Sequence, residues 1–88
     1  MMESKPAIYG KINGTIYDFP EVGDVLPMHT HTEENVHISI VARGSFRAYG
    51  DGWHHTLGCG DIVDWPAYQE HEFVALEPGS RLVNIVKG

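Results

Sequence analysis

The chain has 88 residues, 42% of them hydrophobic, with 12 acidic and 6 basic side chains and a formal charge of −6. That length allows one domain with a modest core, the size at which a bound metal or a second subunit commonly supplements burial. Net negative charge with no Lys or Arg cluster argues against nucleic acid; no apolar run nears the ~20 residues of a membrane span and the N-terminus lacks a signal-peptide core, so no membrane and a cytoplasmic location are expected.

Ten glycines and five prolines cut the chain into pieces of strand length, rich in Ile, Val, Tyr, Phe and Thr. Residues 1 to 5 read as a loose end, and residues 6 to 88 as a single barrel domain. Asn13-Gly14 predicts a type I′ turn between AIYGKI and TIYDF. Next comes MHTHTEENVH, with three of the chain's six histidines. In extended chain His29 and His31 project from one face, about 6 to 7 Å apart at the backbone, so both rings can reach one ion at about 2.0 to 2.1 Å. Thr30 points away, and TEEN reads as a loop.

HISIVAR is an uninterrupted strand that places position 37, Ser39 and Val41 on one face. In SFRAY, Phe46 and Ala48 share a face and Arg47 takes the other. Asp51-Gly52 predicts the turn into WHHTL, whose His54 and His55 read as surface or structural. Cys59, the only cysteine, excludes a disulfide within the chain, fits a reducing compartment and reads as a bystander. Trp53 and Trp65 read as packing, and Tyr9, Tyr17, Tyr49 and Tyr68 as candidates to line a cavity. After the proline that stops IVDW, a short loop delivers His71 to the start of HEFVAL, a candidate third metal ligand remote in sequence. There His71, Phe73 and Ala75 face one way, Val74 and Leu76 the other. Pro78-Gly79 then turns the chain into RLVNIV, where Leu82 and Val86 lie opposite Val83 and Ile85. Both faces of this last hairpin are apolar, so a homodimer burying the second face is expected.

Strands joined in this way predict an all-β sandwich or barrel. The spacing of the marker residues resembles the cupin superfamily, small jelly-roll barrels of the double-stranded β-helix type. Its first motif, G-x5-H-x-H-x3–4-E-x6-G, is met by Gly23, His29, His31 and Gly44; its second, G-x5-P-x-G-x2-H-x3-N, by Gly60, Pro66 and His71. Tyr68 and Ala75 stand where the second motif has glycine and asparagine. The first motif's glutamate is also absent. Counting forward from His31 reaches Asn35 or Val36, whereas counting back from Gly44 reaches His37. A pleated strand fixes register and a loop tolerates an extra residue, so His37 takes the glutamate's place; Glu33, Glu34 or Asn35 is the alternative.

The resemblance implies one divalent transition metal ion (Fe, Zn, Ni, Mn or Cu) held by His29, His31, His37 and His71. Four neutral imidazoles leave the ion's charge uncompensated, which strengthens it as a Lewis acid and favours an anionic ligand. Tyr68, in the second motif's loop, could act as an acid or donate to a substrate. Three functions follow from this reading. One is a metalloenzyme acting on a small polar or anionic organic molecule by dioxygenase, lyase, isomerase or sugar-processing chemistry. The others are a non-catalytic module binding metal or a small ligand, and a structural barrel.

Overall fold

The computed structural model describes residues 1–9, 12–29, 36–65 and 69–87; the side chains of Tyr9, Ile12, His29, Val36, His37, Val86 and Lys87 lie outside that description. The described elements are the strands β1 (Glu3–Tyr9), β2 (Ile12–Phe19), β3 (Val25–His29), β4 (Val36–Arg43), β5 (Ser45–Gly50), β6 (Trp53–Gly58), β7 (Ile62–Trp65), β8 (His71–Ala75) and β9 (Ser80–Lys87). They form a five-stranded sheet, β1-β2-β9-β4-β7, and a four-stranded sheet, β3-β8-β5-β6. From β3 onward the chain passes repeatedly from one sheet to the other, and every pairing is antiparallel. This is the all-β double-stranded β-helix expected from the sequence. Among the described residues no helix is long and apolar enough to cross a membrane.

Alternation selects the core. Phe19, Val41, Trp65 and Leu82 come from the larger sheet, and Leu26, Phe46, Ala48, Leu57, Phe73 and Ala75 from the smaller; all are buried. The Phe19 and Phe46 rings meet edge to face across the sandwich at 4.7 Å, and Phe46 continues to Phe73 at 6.2 Å. The faces predicted for HEFVAL and SFRAY hold: His71, Phe73 and Ala75 are buried, as are Phe46 and Ala48, while Arg47 lies on the outer side. Gly44 joins β4 to β5 with φ of 76°. A Cβ at Gly44 would collide with the Ser80 hydroxyl, so the position needs glycine for its conformation and for the space.

Three expectations are corrected. Asn13-Gly14 is not a turn: both residues lie inside β2, and β1 pairs with β2 from Tyr9↔Ile12 to Glu3↔Asp18. The pairing of β2 with β9, running from Phe19↔Ser80 to Ile12↔Lys87, keeps position 13 extended and overrides the local turn preference. Residues 3 to 5, read as part of a loose end, are the first rungs of β1, and the N-terminal amino group donates to Asp24 at 3.1 Å. Tyr49 does not line the interior: it shares the outer parity of Arg47, and its ring lies 6.0 Å from that of His54.

Candidate metal centre

Four strand ends meet at one end of the barrel. β3 ends at His29 and β8 begins at His71, and these two are register partners. β4 begins at Val36 and β7 ends at Trp65, with Trp65 the register partner of His37. Direct cross-strand partners hold their Cβ atoms about 4.5–5.5 Å apart, within reach of a common ligand for a pair of imidazoles. Position 37 has the strand parity of Ser39 and Val41, which face the interior and are buried. The backbone therefore brings three of the four predicted ligand positions to one rim. The fourth, His31, lies outside the described residues, as do Tyr68 and the alternatives Glu33, Glu34 and Asn35.

His71 is the described anchor of this rim. It is fully buried, and its Nδ1 lies 2.9 Å from the backbone oxygen of Gln69. A carbonyl oxygen only accepts, so Nδ1 carries the proton, and in the neutral ring Nε2 keeps the lone pair. That is the tautomer of an imidazole ligand whose second nitrogen is tied to the backbone. His71 thus fits a metal such as the resemblance implies. Among the described residues no three His, Cys, Asp or Glu side chains form a group able to hold a metal ion; the predicted quartet draws three of its four side chains from outside them.

The His71 ring lies flat on Trp65, with centroids 4.4 Å apart and planes 7° apart. On the indole side the stack continues to Trp53 at 5.8 Å, and Trp53 in turn lies 5.3 Å from His55. Trp65 is itself fixed by a buried polar chain. Its Nε1 donates to Ser39 Oγ at 2.8 Å, and Ser39 donates to Asn84 Oδ1 at 2.6 Å. A buried indole N–H needs an acceptor, and a buried hydroxyl has one proton to give; the chain satisfies both. Sequence reasoning gave Trp65 only a packing role and passed over Ser39 and Asn84 as a pair. The available signal was a polar side chain at inward parity beside an apolar one on each strand, Ser39 next to Val41 and Asn84 next to Leu82.

A cleft of about 380 Å³ opens beside the stack, lined by Trp53, His55, Val63, Asp64, Trp65 and Gln69. It lies at the seam between the edge strands β6 and β7. His54 and His55 are both exposed, as the sequence suggested, but His55 also forms part of this wall. Because the cleft shares Trp65 and Gln69 with the surroundings of His71, a small molecule in it would lie against the rim. Cys59 is exposed and contacts only the Ala42 carbonyl, at 3.6 Å, among its described partners.

No protein-family model and no curated protein matches the sequence. Solved structures do match. KdgF from Halomonas sp. superposes with a TM-score of 0.84 at 26% identity, over 99% of this chain and 79% of that one. An RmlC-like cupin from Desulfovibrio desulfuricans gives 0.83 at 22% identity, over 98% and 82%. A cupin 2 conserved barrel domain protein from Salinispora arenicola gives 0.83 at 16% identity, over 99% and 76%. Fold and rim together define a small double-stranded β-helix barrel. The chain has the barrel fold of these cupin structures.

Proposed function

We propose that this chain is a metal-binding small cupin in which His29, His31, His37 and His71 hold one divalent transition ion, and that it acts as a metalloenzyme on a small polar or anionic organic molecule. The observation that carries the reading is the buried, tautomer-fixed His71, in register with His29 at the rim that β4 enters beside His37. The ion, when bound, supplies Lewis acidity. The chain's own part is to present imidazole nitrogens, to hold His71 flat against Trp65, and to offer an adjoining cleft walled by Trp53, Asp64 and Gln69. Tyr68 belongs to this reading as an acid or hydrogen-bond donor toward the substrate. A cytoplasmic location completes it.

One observation favours a second reading, a module that binds without turnover. Among the described residues the buried polar side chains are Ser39, His71 and Ser80, so His71 is the one titratable group there. The experiment that tests both is metal analysis of the purified protein and of its His31→Ala and His37→Ala variants. One equivalent in the wild type, lost in both variants, supports the four-histidine site. Loss in His31→Ala alone moves the fourth position to the Glu33–Asn35 loop, and a metal-free wild type that also fails to load overturns the proposal. Absence of turnover by the loaded protein, across small acids, diketones and sugars, selects the binding module.

A further inference from the structure

At the end of the barrel away from the histidine rim, four charged residues stand in one row across the larger sheet. Register sets Arg43 on β4 against Arg81 on β9, Arg81 against Asp18 on β2, and Asp18 against Glu3 on β1. The row thus runs from two cations to two anions. Like charges on directly opposed positions repel, so the two arginines call for counter-charge. Asp18 supplies one unit of it. Its carboxylate accepts from Arg81 Nε at 2.7 Å and Nη2 at 3.3 Å, and lies 3.9 Å from Arg43 Nη2. Among the described residues it is the one carboxylate paired with either guanidinium. Glu3 stands three strands from Arg43, about 14 Å at ~4.8 Å per strand, beyond the ~10 Å screening length of about 0.1 M salt. Lys5 lies beside Glu3 on the same face of β1. Arg43 is therefore left with positive charge that no neighbour cancels.

This charge lies on a cleft of about 240 Å³, whose wall includes Arg43, Arg81, Asp18, Glu3, Phe19 and Pro20. Arg43 is held in place there, because its Nε donates to the Gly79 carbonyl at 2.7 Å. That bond fixes the plane of the planar fork before anything binds. The Nη1 groups of both arginines have no acceptor among the described residues. Such forks take the oxygens of an anion two at a time. A carboxylate has only two oxygens, which Asp18 spends mainly on Arg81. A tetrahedral oxoanion has enough to engage both forks.

We propose that Arg43 and Arg81 form an anion site at this end of the barrel, taking a phosphate group, free or at the end of a small ester. Arg43 is separated from His37 by nearly the whole of β4, about 20 Å of extended chain. The site is separate from the proposed metal centre and does not depend on it.

The test is a titration of the whole chain with inorganic phosphate and with glycerol phosphate, ionic strength being held constant with sodium chloride. The arginine Nε–Hε resonances are followed by NMR. Those of Arg43 and Arg81 are expected to move and saturate, while that of Arg47, on the outer side of the smaller sheet, stays in place. Arg43→Gln should weaken binding about tenfold or more. Asp18→Asn removes the competing carboxylate and should tighten binding about tenfold, although it loosens the strand pair. A purely structural role for Arg43 and Asp18 would not give opposite signs in the two variants. Tighter binding of the ester assigns its body to the wall of Phe19 and Pro20; equal binding assigns the free oxoanion. Shifts no larger than chloride produces overturn the proposal, as does saturable binding that Arg43→Gln leaves unchanged. Weaker binding by an Asp18→Asn protein that is folded at the titration temperature overturns it too.

Discussion

Ser39 carries a buried hydroxyl with a partner on each side. Its hydroxyl accepts from the Trp65 indole and donates to Asn84, tying β7, β4 and β9 together beneath the ring on which His71 rests. Ser39→Ala removes the acceptor and leaves a buried indole N–H without one, which costs about 1–3 kcal/mol. Urea unfolding should show that loss, while Thr at the same position keeps a hydroxyl and should recover part of it. A Ser39→Ala protein as stable as the wild type would show that the indole finds another acceptor. Of these three residues the sequence singles out Trp65 as packing and places Ser39 on the face of Val41, but leaves Asn84 unremarked. Alternation reveals that Ser39 and Asn84 face inward, but not that β4 and β9 are neighbours, so their meeting could not be read from the chain.

At the scale of elements, turns and strand pairs can be weighed against one another. Gly44 and Gly60 both adopt positive φ, at 76° and 92°. An added Cβ at Gly60 meets nothing within 4 Å, whereas at Gly44 it runs into Ser80. Gly60→Ala should therefore cost only the left-handed strain of about 1–2 kcal/mol, and Gly44→Ala should cost clearly more, since Ser80 is buried and hydrogen-bonded to the Glu77 carbonyl at 2.8 Å. Thermal melts separate the two cases, because 1 kcal/mol moves the midpoint by about 4–8 °C in a domain this small. Equal losses would remove Ser80 from the explanation.

Asp18 on β2 and Arg81 on β9 join neighbouring strands by two hydrogen bonds, at 2.7 and 3.3 Å. The Arg81 guanidinium holds the Asp18 carboxyl below its ordinary value of 3.8. With the folded value below the unfolded one, the stabilisation is complete above the unfolded value and is lost as pH falls through the folded one. Asp18→Asn should thus lower the urea midpoint near pH 7, with the gap from wild type closing in acid as pH falls below the ordinary value of 3.8 and through the lowered folded one. A gap that is the same at pH 7 and in acid would assign the loss to packing. Strand faces were legible in HEFVAL, SFRAY and HISIVAR because burial enforces period 2 along each. The Asn13-Gly14 turn was misread because its preference is local, whereas the pairing of β2 with β9 joins residues more than sixty positions apart.

For the whole molecule, the decisive feature is the crossing of the chain between two sheets. β7 belongs to one sheet and β8 to the other, yet Trp65 at the end of β7 stacks on His71 at the start of β8. Motif spacing foretold that His71 would join the His29 strand, and register makes them partners. The aromatic floor and the cleft beside it come from strands brought together by that crossing, which single-strand periodicity cannot show. The central claim is that this crossing gathers imidazoles from both motifs around one ion. X-ray absorption on the protein loaded with one equivalent of zinc tests it most directly. The account predicts a nitrogen shell at about 2.0–2.1 Å with the outer-ring scattering of four imidazoles, falling to three in His71→Gln. An oxygen-dominated shell, unchanged in that variant, would contradict it.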